Sequence, residues 1–332
     1  MISSLLIYLF LSFLILILLS KISYKLNLVD IPNKRKLHSK PTAYTGGIAL
    51  SIILLLSLQI FNILGKDLSA IISIAFLISI VGLIDDRYHL NIGGKLSLQI
   101  IPIFYLIVFE KLFLKDLGNY DYFALGLGSF SVPFSLLCVL FLINAFNYFD
   151  GIDGSLGFTS LTVLIILFFL ITDETIKLLL LSIFLLLILF LFFNFAIFKL
   201  PKLFLGDSGS LLLGFIISFI LILLAKNNLV HPILLAWSVS IFVYEFLSIN
   251  LIRIKNKKDP FKPGLDHLHH LFLNKTKSIF LSNFLMCFSN IFLFFIGYFS
   301  FKFLSSVASL ILFIIFFGVF FILRRFFLKQ GI

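Results

Sequence analysis

Long apolar runs separated by short polar breaks organise this chain from end to end. Runs of roughly 17–25 residues, the length a helix needs to cross a hydrocarbon layer, recur throughout. They fall near 3–20, 46–64, 68–84, 96–114, 131–146, 155–172, 176–198, 208–224, 230–249, 279–300 and 303–323. The pattern predicts an all-α, polytopic integral membrane protein with about 11 transmembrane helices, the fifth being the shortest. The first run lacks a charged leader and a small-residue cleavage site, so it reads as a helix and not as a secretory signal. No internal repeat or linker breaks the series, so residues 1–332 are expected to form a single membrane-embedded domain.

Composition agrees with that reading. Of 332 residues, 61% are hydrophobic and 12% charged, outside the range of soluble domains. Lipid can cover such a surface; its own charged side chains cannot. Cys138 and Cys287 both lie inside apolar runs, which excludes a disulfide framework or a cysteine metal pair.

Charge then orients the chain. With the N-terminus outside, the inner loops hold 20 of its 26 lysines and arginines, as the retention of positive charge in cytoplasm predicts. The C-terminus is accordingly cytoplasmic. The net charge of +11 reads as topology plus attraction to anionic lipid and phosphate. No polar domain exists to carry a basic, aromatic-studded patch, so no nucleic-acid partner is expected.

Eight aspartates lie in polar breaks on that inner side: Asp30, Asp85, Asp86, Asp150, Asp153, Asp207, Asp259 and Asp266. A carboxylate at membrane depth costs about 2.5–3.5 kcal/mol on insertion scales, so such residues are functional candidates. The breaks fall near 21–45, 85–97, 147–154, 199–207 and 250–278. The first carries Asp30, Lys36 and His38 and ends in Gly46-Gly47, glycines whose N–H groups could approach a phosphate or nucleotide closely. The second holds the adjacent pair Asp85-Asp86, which fits a divalent-cation or general-base site. Hard oxygens without cysteine suit Mg²⁺ better than zinc. In the third, Asn144, Asn147 and Asp150 share a helix face before two Asp-Gly steps at Asp150 and Asp153. In the fourth, Asp207 opens the eighth run as a natural N-cap or a ligand. The fifth carries His267, His269 and His270, which read as donors to phosphoryl oxygens more readily than as a zinc site. His89 and His231 read as ordinary loop residues. Glu245 lies at membrane depth, with Arg253 or the motif loops as its expected partner.

Taken in order from Asp30 to His270, these five breaks resemble those of the polyprenyl-phosphate N-acetylhexosamine-1-phosphate transferases, within glycosyltransferase family 4. The His-Leu-His-His stretch and the number of spans look more like the branch using simple UDP-N-acetylhexosamines than the one using UDP-N-acetylmuramoyl-pentapeptide. The resemblance implies a Mg²⁺-dependent transfer (Mn²⁺ being the alternative ion) of N-acetylhexosamine-1-phosphate from a UDP-sugar to undecaprenyl phosphate. UMP leaves, and the lipid-diphosphate sugar serves cell-envelope polysaccharide synthesis.

The resemblance also assigns roles. Asp85 and Asp86 lie beside the reacting lipid phosphate, with His269 and His270 counted among the catalytic residues. Asp207 holds the metal with Asn147. Lys36, His38, Gly46, Gly47, Asn144, Asp150, Asp153 and His267 contact substrate. The protein is then expected in the bacterial inner (cytoplasmic) membrane with its site on the cytoplasmic face, and a homodimer is compatible with the sequence. The chain departs from the pattern where an acidic-basic pair usually precedes the histidines: Gly264-Leu265 stand there, with Asp266 beside His267. A different class, an ion-coupled secondary transporter, would place acids near the bilayer midplane within inverted repeats. Here the acids gather at one interface.

Overall fold

A computed structural model describes residues 2–32, 40–259, 264 and 266–329. Every apolar run folds as a helix. In chain order these are α1 (Ile2–Lys25), α2 (Gly46–Ile60), α3 (Lys66–Tyr88), α4 (Ile92–Val108), α5 (Ser131–Asn147), α6 (Ser155–Leu170) and α7 (Glu174–Asn194). They continue with α8 (Gly206–Lys226), α9 (Pro232–Ser238), α10 (Ser240–Lys255), α11 (Leu268–Thr276), α12 (Ile279–Phe303) and α13 (Ser306–Lys329). The protein is a polytopic, predominantly helical membrane protein. Seven helical stretches are long and apolar enough to cross a bilayer, and α9 with α10 form an eighth, bent candidate. The remaining apolar helices, α2, α4 and α6, are shorter, at 15, 17 and 16 residues.

Two details correct the purely helical, straight-span expectation. Short antiparallel hairpins occur: β1 (Val29–Asp30) pairs with β2 (Thr42–Ala43), and β3 (Asp116–Tyr120) with β4 (Phe123–Gly126). The ninth apolar run is bent by 72° at Val239. That break strands the Ser238 carbonyl, and the Asn290 side-chain amide of α12 donates to it at 3.2 Å. A helix interruption at membrane depth survives where a neighbour satisfies the freed backbone.

The centre of the bundle is α8, buried along nearly its whole length and packed against α2, α3 and α5. Small residues allow this closeness. A β-carbon on Gly47 of α2 would collide with the Gly209 backbone, and one on Gly82 of α3 with the Ser208 backbone. Close backbone approach through small residues is how membrane helices gain van der Waals contact when lipid offers no hydrophobic drive. The seam has a functional consequence, because it fixes the first turn of α8 against the ends of α2 and α3.

Candidate active site

The turn Phe204-Leu205-Gly206-Asp207 delivers the chain into α8. Gly206 sits at φ +70, and a side chain there would press on the Asp86 carboxylate and the Tyr44 carbonyl, both 2.7 Å from the added carbon. The vacancy lets Asp86, from α3, reach the start of α8. Its carboxylate accepts from the N–H groups of Asp207 at 3.0 Å and Ser208 at 3.3 Å. Asp86 therefore caps α8 from another helix, where free N–H groups and the helix dipole favour an anion. Asp207 is not the cap and keeps its carboxylate for other partners.

Those partners converge. Lys95 of α4 places its Nζ 2.6 Å from Asp207 Oδ2 and 2.6 Å from Asp85 Oδ2. Asn147 of α5 donates its amide to Asp207 Oδ1 at 2.8 Å and also reaches Ser210 Oγ at 2.8 Å. Asp85 Oδ1 accepts from Leu90 N at 2.9 Å. Four helices thus contribute to one knot of charge. Two carboxylate oxygens from segments far apart in sequence already meet on a single cationic group.

The donor set is of the kind that suits Mg²⁺. The converging atoms are hard carboxylate oxygens, as the ion prefers, and no thiol is near. Among the described residues no three or more His, Cys, Asp or Glu side chains form a closed metal cage. One or two carboxylates plus substrate phosphates is how Mg²⁺ is usually held, so Asp85 and Asp207 fit it. Asn147 meets Asp207 through its amide nitrogen and here orients that carboxylate; it does not present its oxygen as a ligand.

Beside the knot opens a cleft of about 830 Å³, lined by Asp86, Asp150, Asp153, Lys202, Asp207 and His270 among others. Lys202 pairs with Asp153 at 2.6 Å and lies 5.3 Å from the Phe204 ring centre. Asp153 does not cap α6, whose N-cap is Gly154 at φ +77. Asp150 is open to the cleft yet ringed by protein. Lost hydration first, then the negative Asp207 and Asp153, push its carboxyl up to about 7.

The far wall is α11, a helix that hydrophobicity alone does not reveal. His269 is buried, with Nε2 directed at Gly151, where a β-carbon would strike the ring. The His267 and His269 rings are parallel within 2° at 5.7 Å, and His270 lies 4.3 Å from His269. Tyr148 packs edge-on to His267 at 4.8 Å. Burial and the nearby positive Arg253 push His267 down to about 3, so it is neutral at physiological pH. Burial and the neighbouring histidines hold His269 well below the ordinary imidazole range, and burial lowers His270 as well. Among the described residues, His267 Nδ1 and His269 Nε2 are buried without a hydrogen-bond partner. Of the three, His270 lines the cleft, while His267 and His269 are buried behind it and not in its lining, contrary to the expectation of direct contact.

The structure therefore brings Asp85, Asp86, Asn147, Asp150, Asp153, Asp207, His267, His269 and His270 to one end of the bundle. Two further expectations are corrected. The N–H groups of Gly46 and Gly47 donate to Phe204 O at 3.0 Å and Leu205 O at 2.9 Å, so they bind the α8 turn and not an anion. Asn144 donates to Leu140 O at 2.7 Å and Gln99 Oε1 at 3.4 Å, inside the bundle and away from the cleft lining. Lys36 and His38 lie outside the described residues. Conversely, His89, Tyr44, Arg87 and Lys202 line the cleft although the sequence marks them only as loop or topology residues. Lys202 stands five residues before Asp207, and that shared loop was the one available signal.

Comparison with known proteins agrees with this geometry. The profile of glycosyl transferase family 4 matches residues 68–225, the stretch holding Asp85, Asp86, Asn147, Asp150, Asp153 and Asp207. An undecaprenyl-phosphate alpha-N-acetylglucosaminyl 1-phosphate transferase of Pasteurella multocida is 30% identical over 274 residues, covering 79% of this chain and 76% of that protein. Proteins of the same name from Yersinia pestis and Escherichia coli K12 are 28% and 26% identical, over 81% and 76% of this chain and 76% and 71% of theirs. The chain belongs to glycosyl transferase family 4 and is a membrane-embedded phosphoglycosyl transferase.

Proposed function

We propose that this enzyme transfers N-acetylhexosamine-1-phosphate from a UDP-sugar to undecaprenyl phosphate, with Mg²⁺, releasing UMP. The observation carrying this reading is the meeting of Asp85 and Asp207 oxygens on one ammonium beside a cleft lined by Asp86, Asp150, Asp153, Lys202 and His270. The names of the relatives supply the acceptor and the sugar class. A lipid-phosphate oxygen attacks the sugar-side phosphorus; the bond from that phosphorus to the UMP oxygen breaks, and UMP departs. The sugar C–O bond is untouched, so the anomeric configuration persists.

Repulsion between two phosphorylated reactants is the main barrier, and preorganised positive charge lowers it. Mg²⁺, held by Asp85 and Asp207, would neutralise phosphate oxygens. Lys202 adds positive charge in the cleft lining, and Lys95 adds it through its pairing with Asp85 and Asp207. A phosphate monoester loses its second proton at about pH 6, so the acceptor needs little help from a base. Asp86, committed to the start of α8, positions Asp207. His270 offers a ring nitrogen to the diphosphate from the cleft lining, and the neutral, buried His269 packs behind it without adding charge.

In this reading the apolar helices make eleven crossings of a bacterial cytoplasmic membrane, with the N-terminus outside and the cleft facing the cytoplasm. The isoprenoid tail then stays in lipid while its phosphate meets a soluble sugar nucleotide. Acids gathered at one end of the bundle argue against the transporter alternative. The test is to incubate purified protein with undecaprenyl phosphate, a panel of UDP-sugars and Mg²⁺, following UMP and the lipid-diphosphate sugar. Activity with a UDP-N-acetylhexosamine that EDTA abolishes is expected; no UMP from any donor, or full activity in EDTA, would sink the reading.

A further inference from the structure

Arg324, near the end of α13, reads in sequence as one more positive-inside charge. In the fold it is buried. Its Nε and Nη2 each lie 2.9 Å from a carboxylate oxygen of Glu245 in α10, and both side chains are about 1% exposed. The same Nη2 donates to the Asp266 carbonyl at 2.5 Å. Glu245 Oε1 in turn accepts from Leu268 N at 3.0 Å. The two backbone groups held in this way flank His267 and open α11, whose N-cap residue makes no side-chain cap of its own. Arg253 completes the clamp by gripping the Asp266 carboxylate at 2.6 and 3.1 Å.

Helix docking does not need this pair. Tyr244 O–H already donates to Phe313 O at 2.7 Å, and its ring packs on Phe313, Phe317 and Phe320. A buried ion pair is often no more stabilising than apolar residues of similar size. What the pair adds is a link from the C-terminal helix to the histidine turn, at the place where Gly264-Leu265 offer no charged side chain.

We propose that Arg324, through Glu245 and the Asp266 carbonyl, is a positioning residue that sets His269 and His270 against the cleft. This deepens the transferase reading and rests on it. The double substitution E245M/R324M removes both buried charges together, so the protein still inserts and melts near the wild-type temperature. Amides of residues 268–276 then exchange with deuterium roughly tenfold faster, while those of α12 do not change. The kcat for UMP release falls about 100-fold with little change in KM for the lipid acceptor, because misplaced groups cost rate more than binding. R324K keeps the charge but lacks the fork, so it inserts and yet restores neither kcat nor exchange protection.

Wild-type kcat together with wild-type protection of α11 in the double variant would overturn the proposal. If the double variant fails to insert, R324K decides by the same two readouts. Should the wild-type enzyme release no UMP from any donor, the transferase reading fails, and the exchange measurement still judges the placement of α11.

Discussion

The two walls of the cleft are built by different means. The acid wall grows out of helix packing: Gly47 and Gly82 bring α2 and α3 against the first turn of α8, and Asp86 and Asp207 are placed by that contact. The histidine wall packs on α12 and against Gly151, but its opening turn depends on more distant partners. It is a short helix held from outside by Glu245, Arg253 and Arg324, side chains spread across α10 and α13. One wall is fixed by backbone proximity and the other by long-range charged tethers, so they should fail differently.

Replacing Asp207 or Asp85 by Asn removes one of the two carboxylates while preserving size. UMP release should fall by about 10²–10³-fold, on the scale of losing one preorganised electrostatic contact. The variants should still insert and elute as the wild type does. Near-normal activity in both would detach the acid wall from the chemistry.

Next in size is Gly82→Ala, placed in the seam and outside the cleft. Its methyl group meets the Ser208 backbone, which has no flexible end to yield. Overpacking of this kind costs about 1–3 kcal/mol, so a detergent melt should drop while substrate KM values hold among the surviving molecules. An unchanged melting temperature would mean that α3 and α8 are less tightly joined than described.

A smaller effect is expected at Lys202→Met, where one half-buried ion pair with Asp153 is lost but the cleft keeps its shape. KM for the sugar nucleotide should rise roughly tenfold, the worth of one hydrogen bond to a charged group. Loss of kcat with KM untouched would place Lys202 at the reacting phosphorus instead.

The subtlest test concerns pH. His267 binds its proton less well in the fold, at about 3, than at the ordinary 6.5. Unfolded chains therefore take up more protons as pH falls through that interval. The stability from keeping His267 neutral is complete above it and lost on the way down. H267N should lose less thermal stability than the wild type between about pH 7 and about pH 5. An equal loss would mean that another group governs acid sensitivity.

Much of the acid wall was legible in the sequence. Asp85-Asp86 and Asp207 announce themselves because carboxylates are costly beside long apolar runs, and the spacing of those runs puts them on one side. The role of Asp86 was not legible, since capping from another helix depends on the positive φ of Gly206 and on a contact between residues 121 apart. Gly46-Gly47 misled for a related reason: glycines at a helix start serve anions and close packing alike, and only the Phe204 and Leu205 carbonyls decide between them. The histidines were visible as a cluster, but α11 is too short and too polar for a hydrophobic signal. Arg324 looked like a topological charge because nothing local distinguishes a buried guanidinium from one at the lipid headgroups. Residues placed by their neighbours in sequence can be read; residues placed by distant partners cannot.

The helix at the centre of this bundle also has a history implied by its position. Almost no part of α8 faces lipid, and the helices that surround it most closely, α2, α3 and α5, all precede it in the chain. During synthesis they would reach the bilayer first, with the faces that later hold α8 still uncovered, since chains assemble from the N-terminal side as they emerge. The arrival of α8 would then be a keystone step: until it slots home, Asp86 has no N–H groups to hold and Asp207 has no place to stand. The acid half of the site would then appear abruptly, when this one helix closes the vault, and the histidine half would follow once α11 and α13 emerge.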